Sequence, residues 1–300
     1  MLRCSDRRPA VNAQLIVERG LSHLGYAPSV PLLDAFGVKV SGEMSVIPAR
    51  ELPAPRVTYA KGSQQVQVQN GGWNLRNVKF HRGAKVSDWK VLVVRDGAKA
   101  LSNDPELLRF VEAFANQCRN TGIDLPPRPS SILETKQLPP KNRDSRHRMA
   151  AVAEITRTIE LFGDMQDVGF VLVLLPKEDD CLYPAIKRLC TVKVGVHSQC
   201  LSLEKGLKER GQDRYLASVA LKLNTKLGGV NHVLGKEAMT WLTEKPTIMV
   251  GIDVTHPSIL SAPGTPSIVG VVASVDSDFV QFPASLGLQK SGREVNNVLR

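Results

Sequence analysis

Aromatic residues are scarce, at 5% of 300 residues. That excludes a surface built from many base-stacking platforms and leaves room for one well-placed ring. No apolar run approaches the roughly 18 residues of a membrane span; the longest is GFVLVLL, Gly169 to Leu175. The opening MLRCSDRRPAV is basic but has no apolar core, so it does not read as a secretory signal. Five scattered cysteines, Cys4, Cys118, Cys181, Cys190 and Cys200, form no CxxC pair. They indicate no zinc site, and they lead us to expect reduced thiols and a cytoplasmic protein, with the nucleus as a second location. Neither a Walker-type glycine–lysine loop nor GxGxxG occurs, so an ATP or dinucleotide site would lack its usual glycine cradle.

Positive charge is abundant. Lys and Arg outnumber Asp and Glu by 39 to 29, giving a net charge of +10 and a pI near 9.5. Such an excess suits a polyanion, because each neutralised phosphate releases counterions. Alone the signal is weak, since many basic proteins bind no nucleic acid.

Within residues 1–24, Val11, Leu15, Ile16 and Leu21 fit one helical face. Residues 25–88 are rich in Pro and Gly, which disfavours long helices and predicts short extended pieces, at 37–46 and 65–69. The texture changes at Trp89, where WKVLVVR reads as a buried strand. A helix follows over PELLRFVEAFANQCRNTG, with Asp104 capping its start and Gly122 its end. Residues 124–145 carry five prolines and read as a surface loop, and a helix follows from Arg146 to Phe162. VGFVLVLL, Val168 to Leu175, has no polar side chain, so both its faces must be buried, as in a parallel sheet. Then come a helix at Tyr183, a strand at Val192 to Val196 and a helix from Arg214 to Leu227. This alternation predicts a doubly wound α/β fold. Ligands in such folds sit at the carboxyl ends of strands. On this reading the loop Pro176 to Leu182 and Gln199, placed just after a strand, fall there. Beyond Gly235, TIMVGIDVTHP reads as a buried strand carrying one acid, Asp253. SIVGVVASVD reads as a second strand and DFVQFPA as a third, with a helix starting near Lys290.

Two pairs of residues punctuate the middle of the chain. Tyr183 and Lys187 stand four apart, as do Lys222 and Lys226, so each pair shares a helical face. Two like charges on one face repel, and they call for an anion or a solvated setting. Spacing alone favours an ordinary solvated face for the lysines, since surface lysines are the common case, and a small phosphorylated metabolite would satisfy the same pocket.

The pattern Tyr183/Lys187, then Gln199/Cys200, then KLNTKLGGVN from Lys222 to Asn231, resembles the MID domain of eukaryotic Argonaute proteins. The resemblance covers nearly the whole chain. It implies a C-terminal remnant of a PAZ domain at 1–24, a linker at 25–88, a Rossmann-like MID domain at 89–236 and the start of an RNase H-like PIWI domain at 237–300. It further implies that Lys187, Lys222 and Lys226 hold the 5′ phosphate of a small guide RNA, that Gln199 donates a hydrogen bond and that Tyr183 stacks on the first base. The partners implied are guide RNA, complementary target RNA and silencing cofactor proteins.

GIDVTHP resembles the start of the PIWI nuclease. The resemblance makes Asp253 a ligand of Mg²⁺ or Mn²⁺ and Glu294, in SGREVNNV, a second catalytic acid. Without the family, Asp253 also reads as an acid capping the turn after a strand, and Glu294 as an exposed acid at a helix N-terminus. Such nucleases use two metal ions about 4 Å apart, and hard divalent cations take carboxylate oxygens. The remaining acids of the family would lie past Arg300, so these 300 residues alone are expected not to cut RNA, although a slicer with a complete PIWI domain would.

Overall fold

A computed structural model describes residues 7–26, 30–73, 75, 77–97, 102–139, 145–208 and 210–291. The chain divides into two compact units, Met1–Pro53 and Ala54–Arg300. In the first, helix α1 (Pro9–Leu15) runs on through a wider-wound turn, Ile16–Gly20, into Leu21–His23. None of its described residues is buried. The short helix α2 (Pro31–Ala35) begins at a proline, whose fixed φ suits a first helical position.

The second unit is built on a four-stranded, all-parallel sheet of order β3-β2-β4-β5. Its strands are β2 (Asp88–Val93), β3 (Ser131–Glu134), β4 (Val168–Leu175) and β5 (His197–Ser202). A two-residue strand, β1 (Val57–Thr58), precedes them and pairs antiparallel with β6 (Val233–Leu234). Successive strand residues face opposite sides, so one hydrophobic run feeds two cores. Trp89, Val91, Val93, Phe170, Leu172 and Leu174 pack under helices α3 (Pro105–Asn120) and α7 (Gln212–Lys226). Leu92, Val94, Val171, Val173 and Leu175 pack under α4 (Ser145–Glu160) and α5 (Leu182–Arg188). Trp89 is fully buried and stacks on Phe170, with ring centroids 5.7 Å apart. The Asp104 carboxylate accepts the Glu106 amide and caps α3, and Gly122, at φ 98°, ends it, as expected. The doubly wound α/β architecture therefore stands.

Four expectations need correction. The run Val192 to Val196 is not a strand. Helix α5 continues through Leu189–Val194, burying Leu189 and Cys190, and stops at Gly195 in the left-handed region. The β-branched residues mislead here because Val192 points to solvent and only the apolar face of the helix decides. The true strand, β5, is HSQCLS, whose polar letters give no periodic signal. The proline-rich stretch 124–145 is not all loop, since it contains the edge strand β3, which is short enough to hide between prolines. The third strand of the next sheet is not DFVQFPA but β9 (Ala284–Gln289).

The fourth concerns Asp253. Past the short helices α6 (Leu203–Gly206) and α8 (Lys236–Thr243), strands β7 (Val250–Thr255), β8 (Ser267–Ala273) and β9 form an antiparallel sheet, with β8 in the middle. β7 is an edge strand and is exposed along most of its length, so Asp253 is not on a buried strand. Asp253 pairs with Gly270 and, across β8, shares its face with Leu286. Among the described residues no helix is long and apolar enough to cross a membrane.

Candidate functional site

Helix α5 presents Tyr183 and Lys187, α7 ends on Lys226, and β5 runs beside them with Ser198 and Gln199 buried. Lys187 Nζ donates to the Ser198 carbonyl oxygen at 2.5 Å and contacts Ser198 Oγ at 2.9 Å. Lys226 Nζ donates to the same carbonyl at 3.3 Å and to Gln199 Oε1 at 2.8 Å. Gln199 Nε2 turns to the Cys200 carbonyl at 3.2 Å. Two ammonium groups therefore converge on one oxygen. Among the described residues no carboxylate pairs with either. Two like charges about 4 Å apart repel by about 1 kcal/mol in water and about 4 kcal/mol near a protein surface. A site so arranged is short of negative charge.

Lys226 registers this strain. Lys226 is exposed as a residue, while its ammonium is hydrogen-bonded to the Ser198 carbonyl and to Gln199 Oε1. Burial, and then repulsion from Lys187, bring its pKa down to about 8. Burial also pushes the Cys200 thiol up to about 11 and raises Cys190, so neither supplies a reactive thiolate at neutral pH. Tyr183 is 48% exposed, and Lys187 Nζ lies 5.6 Å from its ring centroid, within cation–π range. One face of that ring is thus steadied while the side chain stays open to a ligand. Lys222 lies one turn before Lys226 and is exposed, outside the hydrogen-bonded cluster. It lines an open groove of about 950 Å³ beside the cluster, with His197, Lys226, Asn231, Gln281 and Phe282. The site is not at the carboxyl ends of the strands, as the sequence led us to expect. Gln199 is the third residue of β5, in the amino half of an edge strand.

A family profile for the Mid domain of argonaute matches residues 67–134, one for the Argonaute linker 2 domain matches 11–59, and one for the Piwi domain matches 170–300. Protein argonaute 12 of Oryza sativa subsp. japonica is 33% identical over 293 residues, covering 92% of this chain and 26% of that protein. The chain belongs to the Argonaute family. It spans about a quarter of the length of the curated Argonautes it matches. The Argonaute PNH1 of the same organism is 30% identical, covering 98% of this chain and 29% of its own length. Among solved structures, the N. crassa QDE-2 AGO MID-PIWI domains are 34% identical, with a TM-score of 0.58 over 70% of this chain and 54% of that one. Kluyveromyces polysporus Argonaute with a guide RNA shares the fold, with a TM-score of 0.65 at 23% identity over 82% of this chain and 28% of that one.

The Argonaute-like KLNTKLGGVN segment does structural work that its lysines conceal. After Lys226, Gly228 takes φ 81°, its amide returns to the Thr225 carbonyl at 3.2 Å, and the Gly229 amide returns to the Asn224 carbonyl at 2.8 Å. That is a Schellman closure of α7. Asn224 is fully buried. Its Oδ1 accepts the Ala84 amide at 2.7 Å, and its Nδ2 donates to Asn231 Oδ1 at 2.9 Å. Asn231 Nδ2 in turn donates to the Leu221 carbonyl and to Thr225 Oγ1. Gly229 must be glycine because a Cβ there would lie 2.3 Å from Asn224 Oδ1. Ser198 was not singled out in the sequence, and Asn224, Gly229 and Asn231 entered only as letters of the KLNTKLGGVN motif, with no role of their own. Only the unusual order Asn, four residues, Gly, one residue, Asn could have pointed to the last three.

Of the second group of expected site residues, only Asp253 lies among the described residues. Asp253 is exposed, on a face it shares with Leu286. Glu294 lies outside the described residues. Among the described residues no group of three or more His, Cys, Asp or Glu is placed to hold a metal ion.

Proposed function

We propose that the Tyr183/Lys187/Gln199/Lys226 cluster holds the 5′-phosphorylated end of a small guide RNA. The observation that carries this reading is the convergence of Lys187 and Lys226 on the Ser198 carbonyl with no carboxylate partner among the described residues. A terminal phosphate carries about 1.5–2 negative charges at pH 7, and it would relieve the repulsion that the protein leaves standing. Charge-assisted bonds from the two ammoniums, and from Gln199 Nε2 after it leaves the Cys200 carbonyl, would then fix the phosphate. Lys222 would steer and screen the strand along the groove. Target RNA would pair with the guide, and silencing cofactor proteins would act on the assembled complex.

A stacked base contributes about 1–3 kcal/mol by alanine substitution. Tyr183→Ala is therefore expected to weaken binding of 5′-phosphorylated RNA by that amount, and Tyr183→Phe is expected to keep most of it. Equilibrium titration with a labelled RNA measures both. Parent-like affinity in Tyr183→Ala, or equal damage from Phe and Ala, would remove Tyr183 from the site.

Proton linkage gives an independent check. The free Lys226 loses its proton near pH 8, and a phosphate beside it would raise that value by opposite charge. Below about pH 8 the lysine is charged both free and bound, and it adds no pH dependence. Above it, binding should draw in a proton, and affinity should fall by up to about tenfold per pH unit. Calorimetry at pH 8.5, in two buffers of different ionisation enthalpy, reads the uptake directly. Identical heats in both buffers would contradict it.

Metal-dependent cutting, with Mg²⁺ or Mn²⁺ on Asp253 and Glu294, is a second proposal that the family suggests. The described residues do not fit a metal centre, since Asp253 is a lone exposed carboxylate on a face it shares with Leu286. No catalytic step follows from them. Asp253→Ala should accordingly change guide binding by less than about 0.5 kcal/mol, the usual range for an exposed site. A loss of ten-fold or more in affinity would show that Asp253 serves the RNA-binding region instead.

A further inference from the structure

At the carboxyl ends of β2 and β4 the strand order reverses, the place where doubly wound folds usually admit a ligand. Here that place is filled by three charged side chains. Arg148 of α4 forks onto Asp96, Nη1 to Oδ1 at 3.2 Å and Nη2 to Oδ2 at 2.8 Å, and Nη2 also pairs with Asp179 Oδ2. All three side chains are at most 8% exposed. The fork geometry is particular to arginine, because lysine offers a point charge and cannot bridge two carboxylates in one plane.

Asp179 does more than balance charge. Its Oδ1 accepts the amides of Cys181 at 2.9 Å and Leu182 at 2.8 Å, and its carbonyl accepts the amide of Tyr183 at 3.1 Å. Those amides belong to the turn from which α5 launches Tyr183 and, one turn later, Lys187. The other end of the loop is tied separately: the Glu204 amide donates to the Pro176 carbonyl at 3.0 Å, and Lys205 pairs with Glu178. Arg148 is therefore a tie, from a different helix, on the turn that starts α5.

We propose that Arg148, acting through Asp179, is a positioning residue for Tyr183 and sets how the first base of a guide is held. The proposal rests on the guide-binding reading above. It does not extend to the phosphate, because Lys187 and Lys226 are fixed independently by Ser198 on β5. Loss of the tie should therefore separate two quantities that a merely structural role would move together: base stacking and phosphate recognition.

The test uses the full chain and a 5′-phosphorylated RNA whose first base is 2-aminopurine, a fluorophore quenched by stacking. Arg148→Lys keeps the charge but not the fork. At saturating RNA the parent is expected to quench the probe strongly, and Arg148→Lys to lose most of that quenching. The ratio of affinities for 5′-phosphate and 5′-hydroxyl RNA should stay within about threefold of the parent's, which also shows that the pocket is folded. Asp179→Asn, which can still accept the two capping amides but gives up its charge on Arg148, is the second variant, and the same separation is expected of it. Parent-like quenching in both variants would overturn the latch alone. Equal loss of quenching and of the phosphate ratio in both would reduce Arg148 to a stabiliser of the fold, and would also overturn it. No quenching in the parent, with the phosphate ratio intact, would remove the stacking reading on which the latch depends.

Discussion

Replacing Lys187 and Lys226 together by alanine is expected to weaken binding of 5′-phosphorylated RNA by about 10²- to 10⁴-fold. Each contributes a charge-assisted bond of about 1.5–3 kcal/mol, and 1.4 kcal/mol is about tenfold. Affinity for the same RNA with a 5′ hydroxyl should move by less than about tenfold, because the cluster would face only the terminal phosphate. Lys222→Ala should cost less than either, since Lys222 lines the groove and is not hydrogen-bonded into the cluster. A salt series adds a second readout. Each phosphate contact removed should reduce the slope of log affinity against log salt by about 0.7 on a single strand. Equal loss for both RNAs would show a general basic patch and no pocket.

The second large effect is expected away from the charges. Asn224→Ala should destabilise the fold by about 2–4 kcal/mol. It strands the buried Ala84 amide, a loss of about 1–3 kcal/mol alone, and it also breaks the link to Asn231. Gly229→Ala should act in the same direction, because its new Cβ would collide with Asn224 Oδ1. Chemical denaturation followed by circular dichroism measures both. Since the Schellman closure also holds the end of α7, phosphate binding should weaken even where the variants remain folded. An Asn224→Ala protein as stable as the parent would show that the Asn224 hydrogen bonds to Ala84 and Asn231 do not hold this segment.

How much of this could be read from the letters depends on where the signal lies. The strand Val168–Leu175 has no polar residue, and its central, doubly buried place in a parallel sheet follows from that alone. Helix α3 announces itself by apolar spacing, an Asp cap and a terminal Gly. By contrast, β5 is polar because its side chains form the site. Ser198 and Gln199 are buried for their hydrogen bonds to the lysines, so no hydrophobic pattern marks the strand. That is why it was sought five residues too early, in a valine run that is helical, and why the site was sought at the wrong end of the sheet. The spacing of Tyr183 and Lys187 correctly put ring and ammonium together. Spacing also grouped Lys222 with Lys226, yet only Lys226 reaches Ser198, because the depth at which a side chain sits depends on what the helix end packs against. Arg148 could not have been found: its partners Asp96 and Asp179 lie 52 and 31 residues away, and only the reversal of strand order joins them.

The most direct test of the central claim is the ratio of dissociation constants of the unaltered protein for one RNA sequence carrying a 5′ phosphate or a 5′ hydroxyl. It is measured by competition at moderate salt and pH 7, where Lys226 is still charged. Two ammoniums on one carbonyl, with no carboxylate partner among the described residues, predict a preference of at least about 10²-fold for the phosphate. A ratio near one would contradict the account, because the convergence of Lys187 and Lys226 would then serve no terminal phosphate.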